Sequence, residues 1–555
     1  MMAFQSQQSS SRRRGFTLVE MLVSVGLVVL MMSLFAFIFQ VATGTMSRQR
    51  TISQNNQKVR LVANLLTSDL KKRTFRNLIP FMPHELDAHP TDFADRRGYF
   101  YLSENSPYVE TDTVLQFTVD SEIVDDSTAV SRGFVGRAQP AAGVLNVATN
   151  PVEHPDGDNG RLGDSLATAR YGEVAYFIRN GNLYRRLLLI RNERPATRFG
   201  TGNQEVVENY RYGRFDFSMR ENMAAPGAAE FSAASDLDNV LDPKPATNAV
   251  YASMKGLGLP QNRFGFWNPN SPQNPTGTMT GQSFEWLGTG NNAIFIGRFT
   301  MQETSAAAFT FPNYDPSHTQ QPNPLLQSLT DSDFDGAIDQ FESGSRIGED
   351  LLLSNVLSFT VELWEGDHEV GRFVRLGQPG NSHLTNPTLD TWHRYSRVPT
   401  PAQTNPPTPF VASVPPTKPL LRYRPNELGT RVQHVGEFDG VKQAALGDVY
   451  LLWDGDMTGY PVDANDSRVT WNWNLTVLRC IQAGTPAAGR PEIRETAGEP
   501  GDEIRHGSAI WSVESNVLPL RALQITIRFM HPSTDEPRQI TIVQSLIDDE
   551  EFRTQ

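Results

Sequence analysis

Arg12-Arg13-Arg14-Gly15-Phe16-Thr17-Leu18-Val19-Glu20 opens into an apolar run that continues to Phe39. Glu20 is the single charge among the 24 residues from Phe16 to Phe39. As a helix that length measures about 36 Å, more than the roughly 30 Å hydrocarbon core, so it spans a bilayer with some tilt. The preceding arginines favour a cytoplasmic N-terminus, and Arg48 and Arg50 on the far side weaken that bias. A cleaved secretory signal has an apolar core of about 7–15 residues and a small-x-small cut after it. This run is longer and has a carboxylate inside it. A plain signal anchor leaves Glu20 unexplained, because an ionisable group in a spanning helix is costly and usually has a partner.

A third reading explains both features. Arg12 to Glu20 closely resembles the class III leader of type IV prepilins and type II secretion pseudopilins: basic cluster, Gly, Phe, Glu at the fifth mature position, apolar run. The resemblance implies that a membrane prepilin peptidase cuts between Gly15 and Phe16 and methylates the new amine of Phe16. It also implies assembly with other pilins or minor pseudopilins, in which the carboxylate of Glu20 pairs with a neighbour's Phe16 amine. A buried carboxylate needs such a cation. The expected address is the bacterial inner membrane, single-pass, and then a pilus or pseudopilus. The expected parts are a leader over 1–15 and a transmembrane helix over 16–39.

Beyond the membrane run, Val59, Val62, Leu66 and Leu70, with Leu61 and Leu65, keep the i, i+3, i+4 spacing of an amphipathic helix. The spacing predicts that the spine continues over 40–79, stopping before Pro80. Lys58, Arg60, Lys71, Lys72 and Arg73 suit its solvated face, and Gly44 with the polar run Thr51 to Gln57 is a place for it to bend.

The remainder reads as strands and insertions. Leu115, Phe117 and Val119 alternate with Gln116 and Thr118, the pattern of a half-buried strand. Glu173–Ile178 and Leu183–Ile190 flank Asn180-Gly181, a type I′ hairpin signal. Leu357, Phe359, Val361 and Leu363 alternate, as do Trp471, Trp473, Leu475 and Val477, and Leu523, Ile525, Ile527 and Phe529. A last strand is expected at Ile540–Val543. Antiparallel strands after one long helix predict an α+β fold. Val356–Gly366, Leu518–Phe529 with the following turn and strand, and the Tyr171–Arg186 hairpin are similar to the sheet of J-type minor pseudopilins. The expected organisation is a first sheet part over 80–220, an insertion over 221–350, a strand at 351–366, a Pro-rich insertion with strands over 367–517, and C-terminal strands over 518–555. The insertions, rich in Ala, Asn, Pro and Gly over 221–330 and in Pro over 399–425, exceed an ordinary J-type subunit.

The formal charge of the 555 residues is −13, which argues against non-specific nucleic-acid binding. The single cysteine, Cys480, excludes an internal disulfide or a CxxC site. Residues 331–342, DSDFDGAIDQFE, match a calcium loop of EF-hand type. Asp331, Asp333, Asp335 and Asp339 fall at positions 1, 3, 5 and 9. The Ala337 carbonyl falls at 7, Glu342 at 12, and Gly336 at the turn. Calcium (Ca2+) is the expected ion; a solvated acidic loop is the alternative. Pro322, Pro324 and Gly344 leave short flanks, so the loop is expected to stand alone. HExxH, GxSxG and Walker A patterns are absent, and no acid–base pair stands out. The leading reading is a non-enzymatic, pseudopilin-like assembly subunit. The alternatives are a pilus-tip adhesin that binds through its insertions and a membrane-anchored enzyme.

Overall fold

The computed structural model describes residues 16–79, 96–104, 109–122, 133–137, 166–191, 216–221, 229–238, 256–258, 263–264, 286–287, 294–295, 299–304, 349–366, 371–377, 388–391, 420–423, 432–451, 476–489, 491, 501–531 and 536–547. The fold is α+β: one long N-terminal apolar helix, then antiparallel sheets. The chain divides into two compact units. One holds the chain through Arg60 together with residues 531–536. The other holds Leu61–Met530 and Pro537–Gln555.

Helix α1, Leu18–Lys71, is unbroken over 54 residues. Gly44 and the polar run after Thr51 do not interrupt it, since one glycine costs only about 1 kcal/mol in a helix. The helix ends at Lys71, ahead of Pro80. Arg73 is therefore not on a solvated helix face. It is buried just past the helix end, where its guanidinium donates to the carbonyls of Leu70 (2.9 Å), Arg76 (3.1 Å) and Leu546.

In the larger unit the strands used below are β1 (Phe100–Ser103), β2 (Val114–Asp120), β3 (Tyr171–Arg179), β4 (Asn182–Ile190), β5 (Leu351–Leu353), β6 (Val356–Gly366), β7 (Gly371–Arg375), β8 (Thr388–Asp390), β9 (Gln433–His434), β10 (Val449–Leu451), β11 (Thr476–Gln482), β12 (Glu503–His506), β13 (Ala509–Ser515), β14 (Ala522–Met530) and β15 (Pro537–Ser545). Three main sheets result. A six-stranded antiparallel sheet has the order β5-β4-β3-β2-β1-β8, and a four-stranded antiparallel sheet the order β7-β6-β14-β15. A five-stranded sheet, β9-β10-β11-β13-β12, is built from the second insertion. The β3–β4 hairpin turns at Asn180 and Gly181 with φ of 49° and 65°, the two positive values a type I′ turn requires.

Of the predicted stripe of α1, Val62, Leu66 and Leu70 are fully buried, Val59 and Leu65 are half-buried, and Leu61 is 55% exposed. Strands β2 and β3 are buried along their whole lengths, not on alternate residues. The reason is a second covering layer, from residues 216–218 and the first insertion. Glu173 on β3 accepts hydrogen bonds from Gln116 Nε2 (2.7 Å), the Phe264 amide (2.8 Å), Ser218 Oγ (2.8 Å) and the Tyr99 hydroxyl. Arg179 pairs with Glu303 at 2.6 Å and Arg186 with Asp216 at 3.2 Å. Arg263 pairs with Asp390 at 2.9 Å. Buried charges persist only when paired and hydrogen-bonded, so these contacts fix where the covering layer sits.

In β6, Phe359, Val361 and Leu363 face the core as expected, while Leu357 is 47% exposed. A register shift between Val356 and Ser358 turns Val356 inward and Leu357 outward. Of the alternation Trp471–Val477, only Val477 lies among the described residues, inside β11. The five-stranded sheet has its own core, in which Phe438, Tyr450 and Trp511 pack with ring centroids 4.7–5.3 Å apart.

Candidate functional site

The start of α1 is built from Phe16, Thr17 and Glu20. The Thr17 amide donates to Glu20 Oε2 at 3.0 Å, and the Glu20 amide donates to Thr17 Oγ1 at 3.3 Å. The Thr17 hydroxyl also donates to Glu20 Oε2 at 3.1 Å. This reciprocal pattern is a capping box, which satisfies helix-start N–H groups that lack intrahelical partners. Thr17 escaped the reading of the leader. The spacing Thr-x-x-Glu before an apolar run was the signal that would have found it. Glu20 lies in the first turn, where the helix dipole favours a negative charge.

Phe16 is 82% exposed, and the large apolar side chains from Leu18 to Phe39 are likewise exposed. The helix is long and apolar enough to cross a membrane. The hydroxyls between Leu18 and Thr45 are satisfied within the helix. Ser24 donates to the Met21 carbonyl and Ser33 to the Leu30 carbonyl, at 2.9 and 2.8 Å. Thr43 and Thr45 donate to the carbonyls of Phe39 and Val41, both at 2.8 Å. Such internal pairing is what a lipid environment demands.

Residues 10–36 match the family model for the prokaryotic N-terminal methylation motif. That motif, on a helix long and apolar enough to cross a membrane, supports a type IV pilin-like or pseudopilin-like protein anchored in the membrane by its N-terminus. No curated protein and no solved structure matches the chain.

At the other end of α1, Asp69 accepts the Tyr176 hydroxyl at 2.5 Å and Arg185 through Nε at 2.7 Å and Nη2 at 3.0 Å. Burial, and then the Asp69 carboxylate, hold the Tyr176 phenol well above its ordinary value. Sequence reasoning placed none of these three residues in a site.

Gly15 lies outside the described residues, as does the whole loop of Asp331, Asp333, Asp335, Ala337, Asp339 and Glu342. Among the described residues, no group of three or more His, Cys, Asp or Glu side chains is arranged to hold a metal.

Proposed function

We propose that this protein is a minor structural subunit of a type II secretion pseudopilus or type IV pilus, not an enzyme. Prepilin peptidase cuts between Gly15 and Phe16 and methylates Phe16. The subunit waits in the bacterial inner membrane with its N-terminus cytoplasmic, and then enters a filament through α1. The observation that carries this reading is the match of residues 10–36 to the methylation motif, on a helix whose first half exposes apolar side chains.

The chemistry follows from the helix start. The new amine of Phe16 would lie just ahead of the first helical residue, Leu18, where the dipole disfavours positive charge. A neighbour's Glu20 offsets that cost. In the free subunit the Glu20 carboxylate is held by Thr17. Assembly would exchange this local partner for a neighbour's amine, which sets the axial stagger between subunits. The J-type minor pseudopilins are the subtype proposed, on the likeness of Val356–Gly366 and Leu518–Phe529. The Asp331–Glu342 loop is proposed to hold calcium.

The deciding test is mass spectrometry of the N-terminal peptide from native membranes. An N-methylated Phe16 start is expected. An intact Met1 or Met2 start, in cells with active prepilin peptidase, would leave a signal-anchored protein and overturn the assembly reading.

A further inference from the structure

The five-stranded sheet is entered and left through two segments that pair side by side. Leu420 pairs with Leu518 and Leu421 with Val517, and the Arg422 amide donates to the Asn516 carbonyl at 2.8 Å. The Asn516 side chain adds two bonds of 2.9 Å, Oδ1 accepting the Tyr423 amide and Nδ2 donating to the Tyr423 carbonyl. Strand β13 runs into this stalk, so the Thr476↔Ser515 pair marks the attached end of the sheet and Gln482↔Ile510 the far end. At roughly 3.3 Å per residue, β11 sets the two ends about 20 Å apart.

Two loops pair at the far end. Ala444 and Gly484 exchange amide–carbonyl bonds of 2.8 and 3.2 Å, the Gly447 amide donates to the Cys480 carbonyl at 2.8 Å, and the Gly489 amide donates to the Phe438 carbonyl at 2.9 Å. Asp439 Oδ1 accepts the Val441 and Lys442 amides, and Asp448 Oδ2 accepts the Ala445 amide, all at 2.8 Å. The Ala487 and Gly489 carbonyls accept from His506 Nε2, both at 2.9 Å. Loops tied at so many points present a fixed surface, and that surface is apolar. Val441 is 80% exposed and Leu446 71%, the two most exposed large apolar side chains past α1 among the described residues. Ile481, next to the Cys480 that holds Gly447, is exposed too. One exposed apolar side chain is ordinary, but a group of them rimmed by charge marks a contact site.

Charge selects the occupant. Burial, and then the nearby carboxylates of Asp448, Glu437 and Asp439, push the Tyr450 phenol up to about 12, which places all three acids around one side chain at this end of the sheet. Lys442 is the one cation on the two loops, and it donates to Gln433 at 3.2 Å. A second copy docking here would bring acid against acid, and an anionic bilayer surface would be repelled in the same way. We propose that this loop pair docks a different protein, which presents an apolar cluster flanked by Lys or Arg. The apolar contact gives affinity, and the acidic rim gives orientation and on-rate. This goes beyond the proposed pilin role and does not depend on Phe16 processing, which the mass spectrum tests separately.

The test uses the full chain in nanodiscs of zwitterionic lipid, with empty discs as the blank, and three fluorescent synthetic peptides. The first has a Leu-Ala-Val-Leu-Ala-Leu centre with two lysines at each end. The second has glutamates in place of the lysines, and the third has serines in place of the leucines and valine. Anisotropy should show binding of the first peptide, weakening with salt, and at least about tenfold weaker binding of the other two. The double variant Val441→Ser, Leu446→Ser should lower affinity at least about tenfold while the thermal melt stays at the wild-type value, because both side chains are exposed. Asp439→Asn keeps the oxygen that accepts the two amides and removes the charge, so it should lower affinity about threefold and flatten the salt dependence. No binding of the lysine peptide, equal binding of the lysine and glutamate peptides, or wild-type binding by the double variant would overturn the proposal. Retention on anionic vesicles that the double variant loses would overturn the choice of a protein partner. Self-association seen by light scattering and lost in the double variant would overturn the choice of a foreign one.

Discussion

Tyr176 donates its hydroxyl to Asp69 across 2.5 Å, tying the last turn of α1 to β3, while Arg185 grips the same carboxylate from β4. The hydrophobic stripe of Val62, Leu66 and Leu70 gives burial without direction. The Asp69 contacts fix which way the helix end faces the six-stranded sheet.

Removing the Tyr176 hydroxyl should therefore destabilise the larger unit. Tyr176→Phe should cost about 1–2 kcal/mol, because the carboxylate keeps both arginine bonds. Asp69→Ala should cost about 3 kcal/mol, since Arg185 loses its counter-charge in a mostly buried position. Chemical denaturation of the full chain in detergent checks both. A Tyr176→Phe midpoint equal to wild type would mean that the hydroxyl adds nothing to the apolar packing and the Arg185–Asp69 pair.

The helix stripe, the Asn180-Gly181 hairpin and the β14–β15 pair were legible because each is written in a local period. The covering layer was not. Glu173 reaches Phe264 and Ser218, and Arg179 reaches Glu303, across long separations, and no local pattern in one sequence joins such residues. That is why β2 read as half-buried. Arg73 misled for a related reason: helical periodicity does not say where the helix ends, and the end decides whether a terminal cation meets water or carbonyls. Thr17 was legible as half of a capping box, and the family resemblance drew attention to Glu20 alone.

Two buried carboxylates make stability pH-dependent. Burial raises Glu104, against the pull of its partner Arg375 at 2.5 Å, to about 7. Burial likewise raises Asp350 to about 6, opposed by Arg186. The folded state thus binds protons that the unfolded chain has already lost. This contribution is complete below about pH 4 and disappears as pH rises through 6 and 7. At about 1.4 kcal/mol per pH unit, Glu104 alone accounts for about 3 kcal/mol. Urea denaturation of wild type at pH 5 and pH 8 should show stability falling, and Glu104→Gln should flatten the fall. An undiminished slope in Glu104→Gln would exclude Glu104 as the titrating group.

Calcium should stabilise the chain if the loop of Asp331, Asp333, Asp335, Ala337, Asp339 and Glu342 binds it. With calcium at about a hundredfold its dissociation constant, linkage gives about 2.7 kcal/mol. A chelator should then lower the melting temperature, and Glu342→Gln should remove the difference by losing the bidentate ligand. Identical melts with and without calcium would refute the site.

Thr17 and Glu20 separate two roles that one carboxylate plays. Thr17→Ala breaks the capping box and should loosen the first turn by about 1 kcal/mol, seen as faster amide exchange at Leu18–Glu20. The carboxylate of Glu20 survives that change, so filament incorporation should stay near wild type. Glu20→Ala also breaks the capping box and in addition deletes the charge that would pair with a neighbour's Phe16 amine. Cleavage after Gly15 should remain largely intact while incorporation falls sharply. Quantifying cleaved and filament-bound protein for both variants in the same cells distinguishes the roles. Equal incorporation losses for the two would reduce Glu20 to a helix cap, and normal incorporation of Glu20→Ala would refute the pairing altogether.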